Sequence, residues 1–160
     1  YTTAIDMWSF ACIFAELLGR APLFPGDDYL DQIKRPIAVL GTPTHEDMAF
    51  IGNELARKYI RKLPKRSKQS WASLFPKANP VALNLLGKML IFNPEKRYTV
   101  KQCLKHPYFE GLHNEEMEPE CDEPFDWTWD NFEPTREGLQ GMVYEESLEF
   151  HPEGEEPVGV

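Results

Sequence analysis

Between Ala4 and Leu18 the chain offers a helix almost no polar side. Ile5, Trp8, Cys12, Ala15 and Leu18 recur at helical spacing, and Met7, Phe10, Ile13, Phe14 and Leu17 fill the remaining faces. A helix that is apolar all round has to be buried all round, so this segment is expected at the centre of a domain with other elements packed on every side. Gly19 supplies a stop, and Pro22 and Pro25-Gly26 mark an extended loop. The apolar run is interrupted by Glu16 and is far shorter than the roughly 20 residues a membrane-spanning helix needs. It therefore reads as core.

A chain of 160 residues with 42% hydrophobic content has the length and composition for one ordinary domain. No basic stretch followed by an apolar one opens the chain, so a secretory signal is not expected and a cytoplasmic and nuclear location is. Cys12, Cys103 and Cys121 are too few and too dispersed for a disulfide framework or a zinc site, and reduced thiols are expected. His45, His106, His113 and His151 lack the i, i+4 spacing of paired ligands, so no metal is expected.

Charge divides the chain at about His106. Residues 1–106 hold 9 acidic and 16 basic side chains, whereas residues 107–160 hold 17 acidic and one basic. An acidic tail of this kind repels nucleic acid and favours a basic partner. The basic run Arg57-Lys58, Arg61-Lys62, Lys65-Arg66 and Lys68 interleaves one aromatic residue, Tyr59, and reads as a solvated face. Neither nucleic acid nor a membrane is an expected partner.

The remaining elements are mainly helical. Asp28 to Leu40 carries Leu30, Ile33, Ile37 and Leu40 at helical spacing, with Pro36 predicting a kink or a late start. Thr44-His45-Glu46-Asp47 resembles a capping arrangement for a helix reaching about Leu55. Asn79-Pro80 opens a helix that ends near Leu90, and Thr99 with Gln102 caps a short one that stops before His106-Pro107. Glu115 to Glu123 is expected to lie extended, Phe125 to Trp129 to form an alternating strip, and Pro134 to Phe150 to form a last helix.

Asp6-Met7-Trp8-Ser9 opening the buried helix, followed some ninety residues later by Asn93-Pro94-Glu95-Lys96-Arg97-Tyr98-Thr99, resembles the large lobe of the eukaryotic protein kinases. Leu23-Phe24-Pro25-Gly26, Tyr29-Leu30-Asp31-Gln32, Leu40-Gly41-Thr42-Pro43, Met89-Leu90 before Phe92-Asn93-Pro94, and His106-Pro107-Tyr108 are similar to the mitogen-activated protein (MAP) kinases. So is the extension from Phe109 through Tyr144-Glu145-Glu146 to Phe150-His151-Pro152. The resemblance implies a mainly α partial kinase lobe over residues 1–109, followed by an acidic docking segment and C-terminal extension over 110–160. It makes Asp6, Trp8 and Arg97 structural anchors, with Asp6 accepting backbone hydrogens from a catalytic loop and Arg97 pairing with the glutamate of an Ala-Pro-Glu motif. Ala11 departs from the glycine usual in the family.

Two partner sites are implied as well. The family's acidic docking patch, usually Asp-x-x-Asp-Glu-Pro, falls on Asn114-Glu115-Glu116-Met117-Glu118-Pro119, with Asp122 and Glu123 of Glu120-Cys121-Asp122-Glu123-Pro124 as a second acidic group in a shifted register. Both family aspartates are replaced, although charge density survives. The hydrophobic docking pocket falls on Tyr29, Leu30, Ile33 and Tyr59.

The glycine-rich loop, Val-Ala-Ile-Lys lysine, His-Arg-Asp base and Asp-Phe-Gly metal ligand of kinase chemistry do not occur. No catalytic or cofactor-binding residue is therefore expected in this segment. The resemblance implies a parent enzyme, a proline-directed serine/threonine kinase of intracellular signalling, that uses ATP and magnesium. Its implied partners are protein substrates, an activating kinase and phosphatases with basic docking peptides. The chain is expected to be a piece of such a kinase, inactive alone; the alternative is a stand-alone, non-catalytic docking remnant.

Overall fold

The computed structural model describes residues 2–119 and 121–151; Tyr1, Glu120 and the Pro152 end of the extension lie outside the described residues. Two compact units divide between Met117 and Glu118. Seven α-helices and no strand occur among the described residues.

In the first unit, α1 (Ala4–Gly19) packs on α5 (Pro80–Met89). The reason lies in residue size. Ala11 and Ala15 are fully buried and let α5 approach closely, while Met7 and Phe14 flank them. From α5 and its end come Leu85, Leu86, Met89 and Leu90, the largest fully buried side chains. Asn79 caps α5 by accepting from the Val81 N–H at 2.8 Å, and Pro80 occupies the first turn, as the sequence predicts.

Within the described residues α1 is buried on one face and open on the others. Phe10, Ile13 and Leu17 are 44%, 59% and 62% exposed, and Ile5 is 43% exposed. The described residues cover only the alanine-lined face of α1. Its end also differs from the reading of Gly19 as the stop. Arg20 takes the left-handed turn (φ 60°), whereas a Cβ on Gly19 would stand 2.7 Å from the Phe75 ring. Gly19 serves packing.

Helix α2 (Tyr29–Leu40) starts at its Asp28 cap, which accepts from the Asp31 N–H at 2.8 Å, and runs through Pro36. Pro36 is buried beside Ile37, so tertiary packing overrides the missing backbone bond. Gln32 clasps the preceding loop, accepting from Gly26 N–H at 3.0 Å and donating to the Phe24 carbonyl at 3.2 Å. A single helix from Thr44 to Leu55 does not form. Glu46–Met48 make a 3₁₀ turn, and α3 (Glu54–Lys62) begins separately at Asn53, whose Oδ1 accepts from the Leu55 and Ala56 N–H groups. The basic run thus starts within a helix. Ile37, Met48 and Ile60 form a satellite core against which Ile33, Tyr59 and Leu63 pack.

Helix α4 (Trp71–Leu74) sets its indole against Gly87 of α5, where a Cβ would meet Trp71 Nε1 at 2.9 Å. Helix α6 (Val100–Leu104) carries a reciprocal capping box between Thr99 and Gln102. In the second unit, Thr135 caps α7 (Arg136–Phe150), Phe125 meets Trp127 edge-on at 4.9 Å, and Trp127 stacks on Trp129 at 5.9 Å, with 128–130 in a 3₁₀ turn.

Candidate functional site

Arg97 is set by a local device. The buried Asn93 caps a 3₁₀ turn at Pro94–Lys96 by accepting from the Glu95 N–H at 3.0 Å, and Tyr98 N–H donates to the Lys88 carbonyl at the end of α5. The arginine between them then points at α1. Its Nε donates to the Ile91 carbonyl at 2.8 Å, Nη1 to Ala4 at 2.8 Å and Nη2 to Phe92 at 3.1 Å. Its guanidinium also lies 4.6 Å from the Trp8 ring centre, and Trp8 in turn stacks on Phe24 at 5.7 Å. Burial lowers the Arg97 pKa from its ordinary value, so the carbonyls carry the work of holding the charge. Every acceptor is a backbone carbonyl, where the resemblance implies a glutamate. Beside this staple opens a cavity of about 720 Å³, lined by Thr2, Thr3, Ile5, Phe50, Glu95 and Tyr98 among others.

Asp6 stands exposed in the first turn of α1. The catalytic-loop donors that the resemblance implies for it are not among the residues of this sequence.

The acidic segment hangs from a second local device. His106 is buried; its Nδ1 accepts from the Tyr108 N–H at 3.2 Å, so Nε2 carries the proton and donates to Asn84 Oδ1 of α5 at 3.0 Å. Tyr108 meets Phe14 of α1 edge-on at 5.3 Å. The chain therefore leaves the core at a fixed point. A few residues on, Asn114 Oδ1 accepts from Glu116 N–H at 3.0 Å and opens a 3₁₀ turn over Glu115–Met117, where the sequence predicts an extended run. Glu115 pairs with Lys105, whose hydrogen bond and charge hold its carboxyl below the usual carboxylate range. Glu116 is exposed. Glu118, Asp122 and Glu123 belong to the second unit, where Asp122 and Glu123 are exposed and Glu118 is half-buried.

A match to the protein kinase domain model covers residues 1–109. The chain belongs to the protein kinase family. Its relatives include MAP kinases that match nearly the whole chain. Extracellular signal-regulated kinase 1 of Dictyostelium discoideum is 48% identical over 153 residues, covering 96% of this chain and 29% of that protein. Mitogen-activated protein kinase 5 of Oryza sativa subsp. indica is 44% identical over 152 residues, covering 95% of this chain and 41% of that protein. Mitogen-activated protein kinase 6 of Arabidopsis thaliana is 44% identical over 153 residues, covering 96% and 38%. The chain thus spans well under half the length of these relatives.

Of the pocket residues implied for this kinase chain, Ile33 and Tyr59 meet on the satellite core, whereas Tyr29 is 81% exposed and Leu30 46% exposed on the first turn of α2. Sequence reasoning missed the carbonyl cage of Arg97 and the Lys105 partner of Glu115. The Ala4 carbonyl lies 93 residues from Arg97 and has no local signal.

Proposed function

We propose that this chain supplies the C-terminal part of the large lobe and the C-terminal extension of a MAP kinase, a proline-directed serine/threonine kinase of cytoplasm and nucleus. Its own contribution is scaffold and partner docking. The acidic segment carries this reading, because Glu115 and Glu116 lie a few residues beyond a turn that His106 and Tyr108 lock to α5 and α1. Steering a basic docking peptide needs charge density at a defined place, and that anchoring provides the place.

ATP and magnesium belong to the proposed parent. The His-Arg-Asp and Asp-Phe-Gly motifs of kinase chemistry are not in this sequence, so no phosphoryl-transfer step is assigned to its residues. The cavity beside Arg97 and the uncovered face of α1 are where this reading seats the rest of the kinase lobe. Activity of the full-length protein tests the proposal. A peptide with serine followed by proline should be phosphorylated at least about tenfold faster than one with serine followed by alanine, about 1.4 kcal/mol of discrimination. Equal rates, or no transfer by the full-length protein, would contradict it.

A further inference from the structure

From Leu55 to Pro94 the sequence holds no acidic residue, and seven of its basic side chains fall between Arg57 and Lys68. The structure gives this run a defined form. Arg57 and Arg61 share one carboxylate, each placing Nη2 2.8 Å from Glu54. Lys58 and Lys62 lie one turn apart on the exposed side of α3, about 6 Å along its axis. The following stretch is pinned to the end of α2: Thr42 N–H donates to the Arg66 carbonyl at 2.9 Å, Arg66 N–H to Thr42 Oγ1 at 2.9 Å, and Gln69 N–H to the Val39 carbonyl at 2.9 Å. Gly41, with φ 87°, lets the two backbones meet, since a Cβ there would stand 2.9 Å from Lys68 N. Lys65, Arg66 and Lys68 therefore project from a fixed backbone. All three are exposed, Lys65 and Lys68 at most about 10 Å apart along the chain.

Tyr59, Ile60 and Leu63, the aromatic and aliphatic members of the run, are turned onto the satellite core. That packs the run's one ring, Tyr59, against the protein, and leaves Leu55, 75% exposed at the start of α3, as a single aliphatic side chain, too little apolar area to anchor in a bilayer. What remains is a set of cations at spacings of roughly 6–10 Å, close to that of phosphates two or three residues apart on an extended peptide. We propose that the edge formed by α3 and residues 65–68 docks a multiply phosphorylated segment of a partner protein. Arg66 supplies a two-pronged donor and the lysines supply point charges. This site is separate from the acidic segment, which attracts partners of the opposite charge, and it does not depend on the proposed kinase activity.

Fluorescence anisotropy on the full-length protein tests this, with a neutral peptide carrying two phosphoserines three residues apart and its unphosphorylated twin as probes. Phosphorylation should tighten binding at least about tenfold, and the gain should shrink steeply between 50 and 200 mM salt. K58E/K62E/K65E/K68E should abolish the gain; K58Q/K62Q/K65Q/K68Q, which retains similar size, should reduce it if the reversed protein does not fold. A gain below about twofold, or one that survives both variants, would overturn the proposal. So would tighter binding, at equal phosphate, to a 12-nucleotide single strand of DNA or to vesicles containing phosphatidylinositol bisphosphate.

Discussion

Arg97 ties the start of α1 to the stretch leading out of α5, with one carbonyl acceptor 93 residues away and two others five and six residues away. A planar fork stacked on Trp8 does this; a lysine ammonium reaches one or two carbonyls and loses the flat face. Arg97→Lys should therefore cost about 2 kcal/mol, the net worth of one or two hydrogen bonds to a charged donor, read as a lower urea midpoint at unchanged slope in the full-length protein. An unaltered midpoint would show the cage to be idle. The sequence marks Arg97 through the motif around it, but a partner 93 residues away has no local signature, so the carbonyl cage emerges only in three dimensions.

Elements follow their sequence signals where the signal is a cap. The Asn79 cap of α5 and the Thr99–Gln102 box of α6 each form at the predicted place. The signals fail where tertiary contacts decide. Pro36 does not delay α2, which starts at Tyr29 and carries the buried proline within it beside Ile37. Between His45 and Leu55 the fault is different: extended Asn53 (ψ 112°) starts a new helix where the capping arrangement at Thr44 suggests one continuous element. The Thr44–Asp47 box that opens this region also receives Lys96, at 3.0 Å from Asp47. The Thr44 hydrogen bond, then that of Lys96, holds the Asp47 carboxyl below its ordinary pKa. A carboxylate depressed in the folded state contributes stability that is full above its unfolded pKa and is lost as pH falls through the folded one. Asp47→Asn should lower stability at pH 7 by about 1 kcal/mol, and the gap to the parent sequence should close on acidification below about pH 4. A gap that stays constant with pH would assign the effect to packing.

Across the whole molecule, charge separates what helical periodicity does not. Residues 1–106 are net basic and 107–160 strongly acidic, which is legible in composition, and the kinase family match ends at residue 109. Composition does not tell which acidic side chains stand ready for a partner. Glu115 already answers Lys105, and Glu116 is exposed at a turn fixed by Asn114. The central claim is that this segment recruits partners and leaves chemistry to residues elsewhere in the kinase. Steady-state kinetics of the full-length protein and its Glu115→Lys, Glu116→Lys, Glu118→Lys variant test it most directly, with a serine-proline substrate bearing a basic docking motif and a short peptide lacking one. The account predicts that KM for the motif-bearing substrate rises about tenfold, or 1.4 kcal/mol, while kcat and both constants for the short peptide stay unchanged. Equal losses on both substrates, or no change in either, would contradict it.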